Sequence, residues 1–335
     1  MTVGTELVTP SSIEEAARGL RGVALRTPIV QAEWLTAPAG AEVALKCENL
    51  QRAGAFKIRG AYTMISRLPA AERAQGVITY SSGNHAQAVA LAAREFSIPA
   101  VVVMPTTAPA VKVAGARAYG AEVVFEGTTS TERQQRALEI AAERGLAVVP
   151  PFDHADIIAG QGTVAREILL DWPDAETVLV PVGGGGLIAG VAAWVHRAKP
   201  GAKVIGVEPV NADAMHRSLA AGQPTTVDMR ESVADGLLPV RPGDLTFAHA
   251  QALVDEIVLV EDAAIVEAAS RLLHDGRLLV ELSGAATVAA LLSGAYRPRG
   301  RRTVAILSGG NIEPLRAAEL LSRDGRNDPF VNIWG

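Results

Sequence analysis

Short runs of β-branched and aliphatic residues alternate with alanine-rich helical stretches along almost the whole chain. That alternation restricts the fold to one class. Residues 77–80 lead into a helical pattern at 86–95, 100–104 into 109–119, 122–125 into 131–144, and 177–182 into 187–198. Runs at 204–208 and 257–260 follow, the second leading into a helix at 263–273, and 303–307 reads as a late strand. Strands alternating with helices are the pattern of parallel sheets covered on both faces. The units fall into two groups, one at 77–148 and one later in the chain. The expectation is an α/β protein with two open, mostly parallel twisted sheets covered by helices. Residues 1–67 and 153–335 form a large domain, and residues 76–148 form a small α/β domain inserted in it. The consecutive prolines Pro150 and Pro151 break both helix and strand, and mark the crossing between the two.

Composition removes several classes of function. The 335 residues are enough for a substantial core, which is aliphatic because 49% of residues are hydrophobic but only 4% aromatic. The net charge of −5 is spread without blocks of one sign, so nothing suggests a nucleic-acid partner. No apolar run approaches the roughly 18 residues of a membrane span. The first residues, MTVGTELVTPSS, lack the basic and apolar regions of a secretory signal. A cytoplasmic protein is expected, without membrane or nucleic-acid partners. Cys47 is the single cysteine, so no intrachain disulfide can form, and it reads as a small buried hydrophobe in a strand.

In open α/β sheets, ligands sit beyond the carboxyl ends of the strands. Three loops occupy that position: Gly183, Gly184, Gly185 and Gly186 after 177–182, Ser81 to His85 after 77–80, and Ser308 to Asn311 after 303–307. A side-chain-free loop between strand and helix cradles phosphate, with backbone N–H groups and the positive helix end both facing the anion. Gly184, Gly186 and Ala189 also fit the dinucleotide fingerprint, with Glu208 at the end of the next strand as the ribose acid. An NAD-dependent oxidoreductase therefore stands beside a phosphate site of another kind.

Lys57 lies between a glycine-containing loop and a helix-like stretch at 61–68, flanked by Phe56 and Ile58. A desolvated lysine has a lowered pKa and can form a Schiff base. Ser81, Ser82, Asn84 and His85 bring two hydroxyls, a carboxamide and an imidazole to one strand end, suited to a carboxylate. Each of these has a plainer use when taken alone. A lysine snorkels, Ser and Asn cap helices, and Ser308 can belong to a simple turn.

Taken together, these segments resemble the fold-type II pyridoxal-phosphate enzymes, and within them the threonine/serine dehydratase and serine racemase family. The resemblance covers nearly the whole chain. It runs through AFKIRGAY around Lys57, YSSGNHAQAVA around Asn84, DIIAGQGTVAREIL, PVGGGGLIAG, VADGL and LSGGN. The residue before the Phe-Lys pair, commonly serine, is Ala55 here.

The resemblance implies a tryptophan synthase β-like fold with pyridoxal 5'-phosphate in the cleft between the domains. Lys57 would carry the cofactor as a Schiff base, and Gly183, Gly184, Gly185 and Gly186 would hold its phosphate. Phe56 would pack near the ring, Asn84 would bond its 3-hydroxyl, and Ser308 would face the pyridine nitrogen. Ser81, Asn84 and His85 would bind the substrate carboxylate. Lys57 would take the Cα proton, and Ser82 would be the acid/base on the opposite face, as in racemases. The implied reaction is β-elimination from a hydroxy-amino acid: L-threonine to 2-oxobutanoate and ammonia, with L-serine to pyruvate as a second activity. Serine racemase and 3-hydroxyaspartate ammonia-lyase are alternatives on the same scaffold.

Some relatives bind Mg²⁺ or Ca²⁺ through a Glu, a carbonyl and an Asp. Glu208 and Ala212 match the first two positions, but Ala214 stands where the second carboxylate belongs, so a dedicated metal site is not expected. Asp213 is the alternative ligand. The α/β pattern ends near Gly335, so a regulatory domain for feedback control is not expected, and a homodimer is.

Overall fold

The computed structural model describes residues 6–81, 83–108, 110–128, 130–228 and 231–322. Among these residues, ten strands form two sheets. The larger contains β1 (Ile29–Gln31), β2 (Glu42–Cys47), β7 (Thr177–Pro181), β8 (Lys203–Pro209), β9 (Glu256–Val260) and β10 (Arg302–Leu307). Its order is β1-β2-β10-β7-β8-β9, parallel throughout except for the β1 edge. The smaller sheet contains β3 (Val77–Tyr80), β4 (Ala100–Met104), β5 (Glu122–Phe125) and β6 (Ala147–Val148), all parallel in the order β5-β4-β3-β6. The two mainly parallel sheets surrounded by helices are the expected fold class. Central strands such as TVLVP of β7 and AVVVM of β4 are buried along their full length, so they read as continuous apolar runs rather than alternating ones.

Several helices begin earlier than the sequence pattern suggests. The helix expected from residue 86 spans Asn84–Glu95, with Gly83 as its N-cap residue, so Asn84 and His85 lie in its first turn. The helix expected from 187 spans Gly186–Ala198, and that expected at 61–68 spans Ile58–Arg67, directly after Lys57. Polar residues at the first turn interrupt the apolar periodicity without interrupting the helix. Among the described residues, no helix is long and apolar enough to cross a membrane.

A buried ion quartet fixes the helix that follows Lys57. Arg59, 1% exposed, donates through Nε to Glu48 Oε2 at 2.8 Å and through Nη2 to Glu48 Oε1 at 2.8 Å. The same guanidinium reaches Glu167 Oε1 at 2.7 Å and Oε2 at 2.9 Å, and Thr163 Oγ1 at 3.2 Å. Lys46 Nζ completes the group, donating to Glu167 Oε2 at 2.6 Å and to the Thr27 carbonyl at 2.8 Å. Two cations and two anions thus join β2, the 58–67 helix and the Ala155–Asp171 helix. Glycines allow this closeness: a Cβ on Gly160 would run into the Arg59 carbonyl, and one on Gly190 would lie 2.5 Å from the Gly162 amide. Burial opposes the charge on Glu48, but Arg59 and Lys46 outweigh it and hold its carboxyl below the usual range. Removing one member of such a cluster leaves a buried charge uncompensated. Glu48→Ala is therefore expected to destabilise the fold by about 3–5 kcal/mol in urea unfolding. A loss below about 1 kcal/mol would mean that the quartet contributes little.

Candidate active site

The carboxyl ends of β2, β7 and β10 lie on one edge of the large sheet, because these strands are parallel neighbours. The segments that leave them meet. The Phe56 amide donates to the Ser308 carbonyl at 3.1 Å, and the Gly310 amide to the Gly54 carbonyl at 2.8 Å. Gly54 must be glycine here, since φ is +70° and a Cβ would collide with the Asn311 side chain. Ser308 is buried at the end of β10.

The crossing segment after β6 joins the parts of the site. The Val149 carbonyl accepts from Thr79 Oγ1 at 2.8 Å and lies 3.1 Å from His85 Nε2. The Pro151 carbonyl accepts from Lys57 Nζ at 2.8 Å. The Phe152 ring fills the space that a side chain at Gly184 would need, and its backbone lies against Gly186. Asp153 accepts from the amides of Leu245 at 3.0 Å and Thr246 at 3.1 Å, and Thr246 Oγ1 donates to the Gly184 carbonyl at 2.7 Å. Lys57 and the glycine loop, far apart in sequence, are therefore held by adjacent residues of one short strap.

The glycine loop is shaped by what surrounds it. Gly185 has φ +93°, and a Cβ there would lie 2.7 Å from Met215 Cε and 2.9 Å from Thr246 Cβ. A Cβ on Gly183 would lie 3.1 Å from the Leu237 Cα. The loop is bare backbone enclosed by packed neighbours, and the helix Gly186–Ala198 starts from it. This cradle suits a monophosphate, and the Lys57 amine beside it suits a carbonyl-bearing cofactor, so the residues present fit pyridoxal phosphate.

Lys57 Nζ also sits 5.2 Å from the centre of the Phe56 ring. Burial lowers the Lys57 pKa to about 8, against the pull of the Glu281 charge. Asn84 has a partner at each amide atom and one further N–H to offer: Nδ2 donates to Glu281 Oε1 at 2.6 Å, and Oδ1 accepts from Asn311 Nδ2 at 2.8 Å. Ser81 Oγ accepts a long bond from the Gly83 amide at 3.4 Å. Ser82 lies outside the described residues.

Sequence reasoning missed Glu281, Asn311, the Pro151 carbonyl, and the ion pair between Lys112 and Asp235. The available signals were slight. Glu281 reads as a helix-start acid, and it is the N-cap residue of Leu282–Ser293. Burial raises its pKa to about 8, with Asp235 adding to the rise and Lys112 opposing it.

Glu208 has a structural task. Its carboxylate accepts from the amides of Met215 at 2.9 Å and His216 at 2.8 Å, at the start of the helix Ala214–Ala221. Asp213 pairs with Arg217 Nε at 2.8 Å, and Ala212 is buried. The acid that fits the dinucleotide fingerprint by spacing is thus occupied by a helix terminus.

The two open α/β sheets and a lysine beside a glycine cradle define a class of cofactor-dependent enzymes. A family model for pyridoxal-phosphate dependent enzymes matches residues 20–309. The chain is 44% identical over 307 residues to an L-threonine ammonia-lyase of Thermotoga maritima, covering 92% of this chain and 76% of that protein. It is 40% identical over 316 residues to an L-threo-3-hydroxyaspartate ammonia-lyase of a Pseudomonas species, covering 94% of this chain and 99% of that one. Maize serine racemase is a structural neighbour with a TM-score of 0.91 and 36% identity, covering 94% of this chain and 97% of that one. The chain belongs to the pyridoxal-phosphate-dependent enzymes, and the dinucleotide alternative is set aside.

His85 gives a test of the site's interior. Burial, with help from the Lys57 charge, lowers its pKa from 6.5 to about 3. The unfolded chain binds this proton near pH 6.5 and the folded one does not until about 3. The His85 contribution to stability is therefore complete above about pH 6.5 and declines as pH falls towards 3. NMR of the ring is expected to show no protonation of His85 between pH 8 and about 4.5, whereas a step near 6.5 would place the ring in water.

Proposed function

We propose that the chain is a pyridoxal-phosphate-dependent ammonia-lyase acting on hydroxy-amino acids, converting L-threonine to 2-oxobutanoate and ammonia, and L-serine to pyruvate and ammonia. The observation that carries this reading is the single strap, Pro151–Phe152, that touches both the Lys57 amine and the glycine loop. The identity to an L-threonine ammonia-lyase supports the choice of substrate.

In this reading Gly183, Gly184, Gly185 and Gly186 would hold the cofactor phosphate, Lys57 would hold its aldehyde end, and Phe56, Asn84 and Ser308 would orient the ring. Bound pyridoxal phosphate supplies the electron-withdrawing ring that acidifies the substrate Cα–H. Ser81 and Asn84 would receive the substrate carboxylate through their side chains; the one ring proton of neutral His85 goes to the Val149 carbonyl, so His85 would contribute its backbone N–H at the helix start. Lys57 Nζ, as a free amine, would accept the Cα proton. Its lowered pKa favours that role near neutral pH. The β-hydroxyl would leave as water by taking up the proton that Lys57 Nζ gained from Cα, and addition of one water to the released enamine would give the 2-oxo acid and ammonia. Ser82 remains the candidate acid/base on the opposite face, which keeps serine racemisation within reach of the scaffold. The likeness to maize serine racemase supports testing for it.

The proposal takes residues 1–67 and 153–335 as the large domain and 76–148 as the inserted one, supported by the confinement of β3–β6 to residues 77–148. A cytoplasmic homodimer without a dedicated divalent cation is part of the same reading. The engagement of Glu208 and Asp213 within their own helix start supports the metal-free form.

The purified protein with pyridoxal phosphate is expected to form 2-oxobutanoate from L-threonine, and Lys57→Ala to lower kcat by about 10²–10⁴-fold. Full turnover by Lys57→Ala would contradict the assignment. Gly184→Ala is expected to fold, by circular dichroism, yet to bind pyridoxal phosphate more weakly in equilibrium dialysis, because a Cβ there meets the Phe152 ring.

A further inference from the structure

Glu281 is a buried carboxyl that the mechanism above leaves unused. It is the N-cap residue of the helix Leu282–Ser293, yet among the described residues its side chain makes no capping bond there. The carboxyl turns instead to the first turn of the helix Asn84–Glu95, where Oε1 accepts from Asn84 Nδ2 at 2.6 Å. This bond joins a helix packed on the larger sheet to one packed on the smaller. The Glu281 amide donates to the Gly309 carbonyl at 3.1 Å. A Cβ on Gly309 would collide with Glu281 Oε1 and lie 3.0 Å from Asn84 Nδ2. Gly309 follows Ser308 and bridges to Ala55, just before Lys57. The Glu281–Asn84 bond therefore lies against the backbone that carries Ser308 and faces the Lys57 segment.

The direction of the Asn84 carboxamide is set from both sides. Asn311 Nδ2 donates to the Ala53 carbonyl at 2.8 Å and to Asn84 Oδ1 at 2.8 Å. A backbone carbonyl can only accept, so Ala53 fixes Asn311 with its amino group towards Asn84, and Asn84 must answer with its oxygen. Reversing Asn84 would set two amino groups against each other. On the other side Glu281 Oε1 takes one Nδ2 hydrogen, and a carboxyl oxygen can accept in the ionised and the protonated form alike. Among the described residues, one Asn84 N–H is left uncommitted. We propose that Glu281 and Asn311 are positioning residues: they clamp the Asn84 carboxamide so that an N–H donor, and not the carbonyl oxygen, faces the ring oxygen of bound pyridoxal phosphate. This rests on the reading above in which Asn84 orients the ring, and not on the choice of substrate. An oxygen that carries negative charge gains from a donor and is repelled by a carbonyl. The clamp therefore bears on cofactor affinity and on the electron distribution of the ring.

The test measures, without substrate, the Kd of pyridoxal phosphate by equilibrium dialysis and the visible absorbance maximum of the bound cofactor. The proteins compared are the wild type, Glu281→Met, Asn311→Leu, Asn84→Ala, and the two double variants that add Asn84→Ala. Glu281→Met and Asn311→Leu are each expected to weaken binding by about tenfold and to move the absorbance maximum, because the lost partner leaves the Asn84 carboxamide free to turn. On the Asn84→Ala background neither is expected to add more than about a twofold change. Glu281→Gln keeps an acceptor oxygen for Nδ2 and is expected to stay near the wild type; a tenfold loss there would overturn the inference. So would wild-type Kd and absorbance in either Glu281→Met or Asn311→Leu, once circular dichroism shows that variant to be folded. Effects of equal size with and without Asn84 would mean that the two residues only support the fold, and would also overturn it. If Asn84→Ala changes neither readout, the reading in which Asn84 orients the ring fails and takes the inference with it. If Asn84→Ala weakens binding while Glu281→Met and Asn311→Leu do not, the inference fails alone.

Discussion

The buried quartet of Lys46, Glu48, Arg59 and Glu167 is the interaction on which the site's geometry depends. It ties the helix that begins directly after Lys57 to the β2 strand and to the long helix 155–171. Such a cluster is a weak source of net stability, because desolvating four charges offsets most of their attraction. Its effect is on uniqueness: a guanidinium with donors fixed in a plane accepts one arrangement of two carboxylates. Lys57 lies two positions before Arg59, so its backbone inherits that arrangement.

From there the constraint passes to the strap at residues 149–153. Its carbonyls receive His85 and Lys57, its aromatic ring lies on the glycine loop, and Asp153 holds the helix that reaches back to Gly184. The strap connects the two sheets, so cradle and amine meet where the chain returns from the smaller sheet to the larger one. Loss of side chains at positions 183–186 follows from this closeness, with Phe152, Met215 and Thr246 occupying the volume instead.

Much of the fold was legible in the sequence because buried parallel strands must be continuously apolar, and runs such as VITY, AVVVM and TVLVP are. The Lys57, Asn84 and glycine-loop segments were legible because their residue types serve little purpose in a core. The starts of helices were less so. Asn84 and His85 read as loop residues but occupy the first helical turn, where polar groups are tolerated. The partners of those residues were not legible at all. Asn84 and Glu281 are 197 positions apart, and Lys112 and Asp235 are 123 apart, so only the tertiary fold brings them together. A backbone acceptor such as the Pro151 carbonyl carries no side-chain signature in any sequence.

The site as described requires the folded chain to present Lys57, and not another lysine, to the cofactor. The most direct measurement is incubation of the purified protein with pyridoxal phosphate, reduction with borohydride, and peptide mapping by mass spectrometry. One dominant site of modification is expected, at Lys57, at one cofactor per chain. Dominant labelling of Lys112, Lys199 or Lys203 with Lys57 unmodified would contradict it.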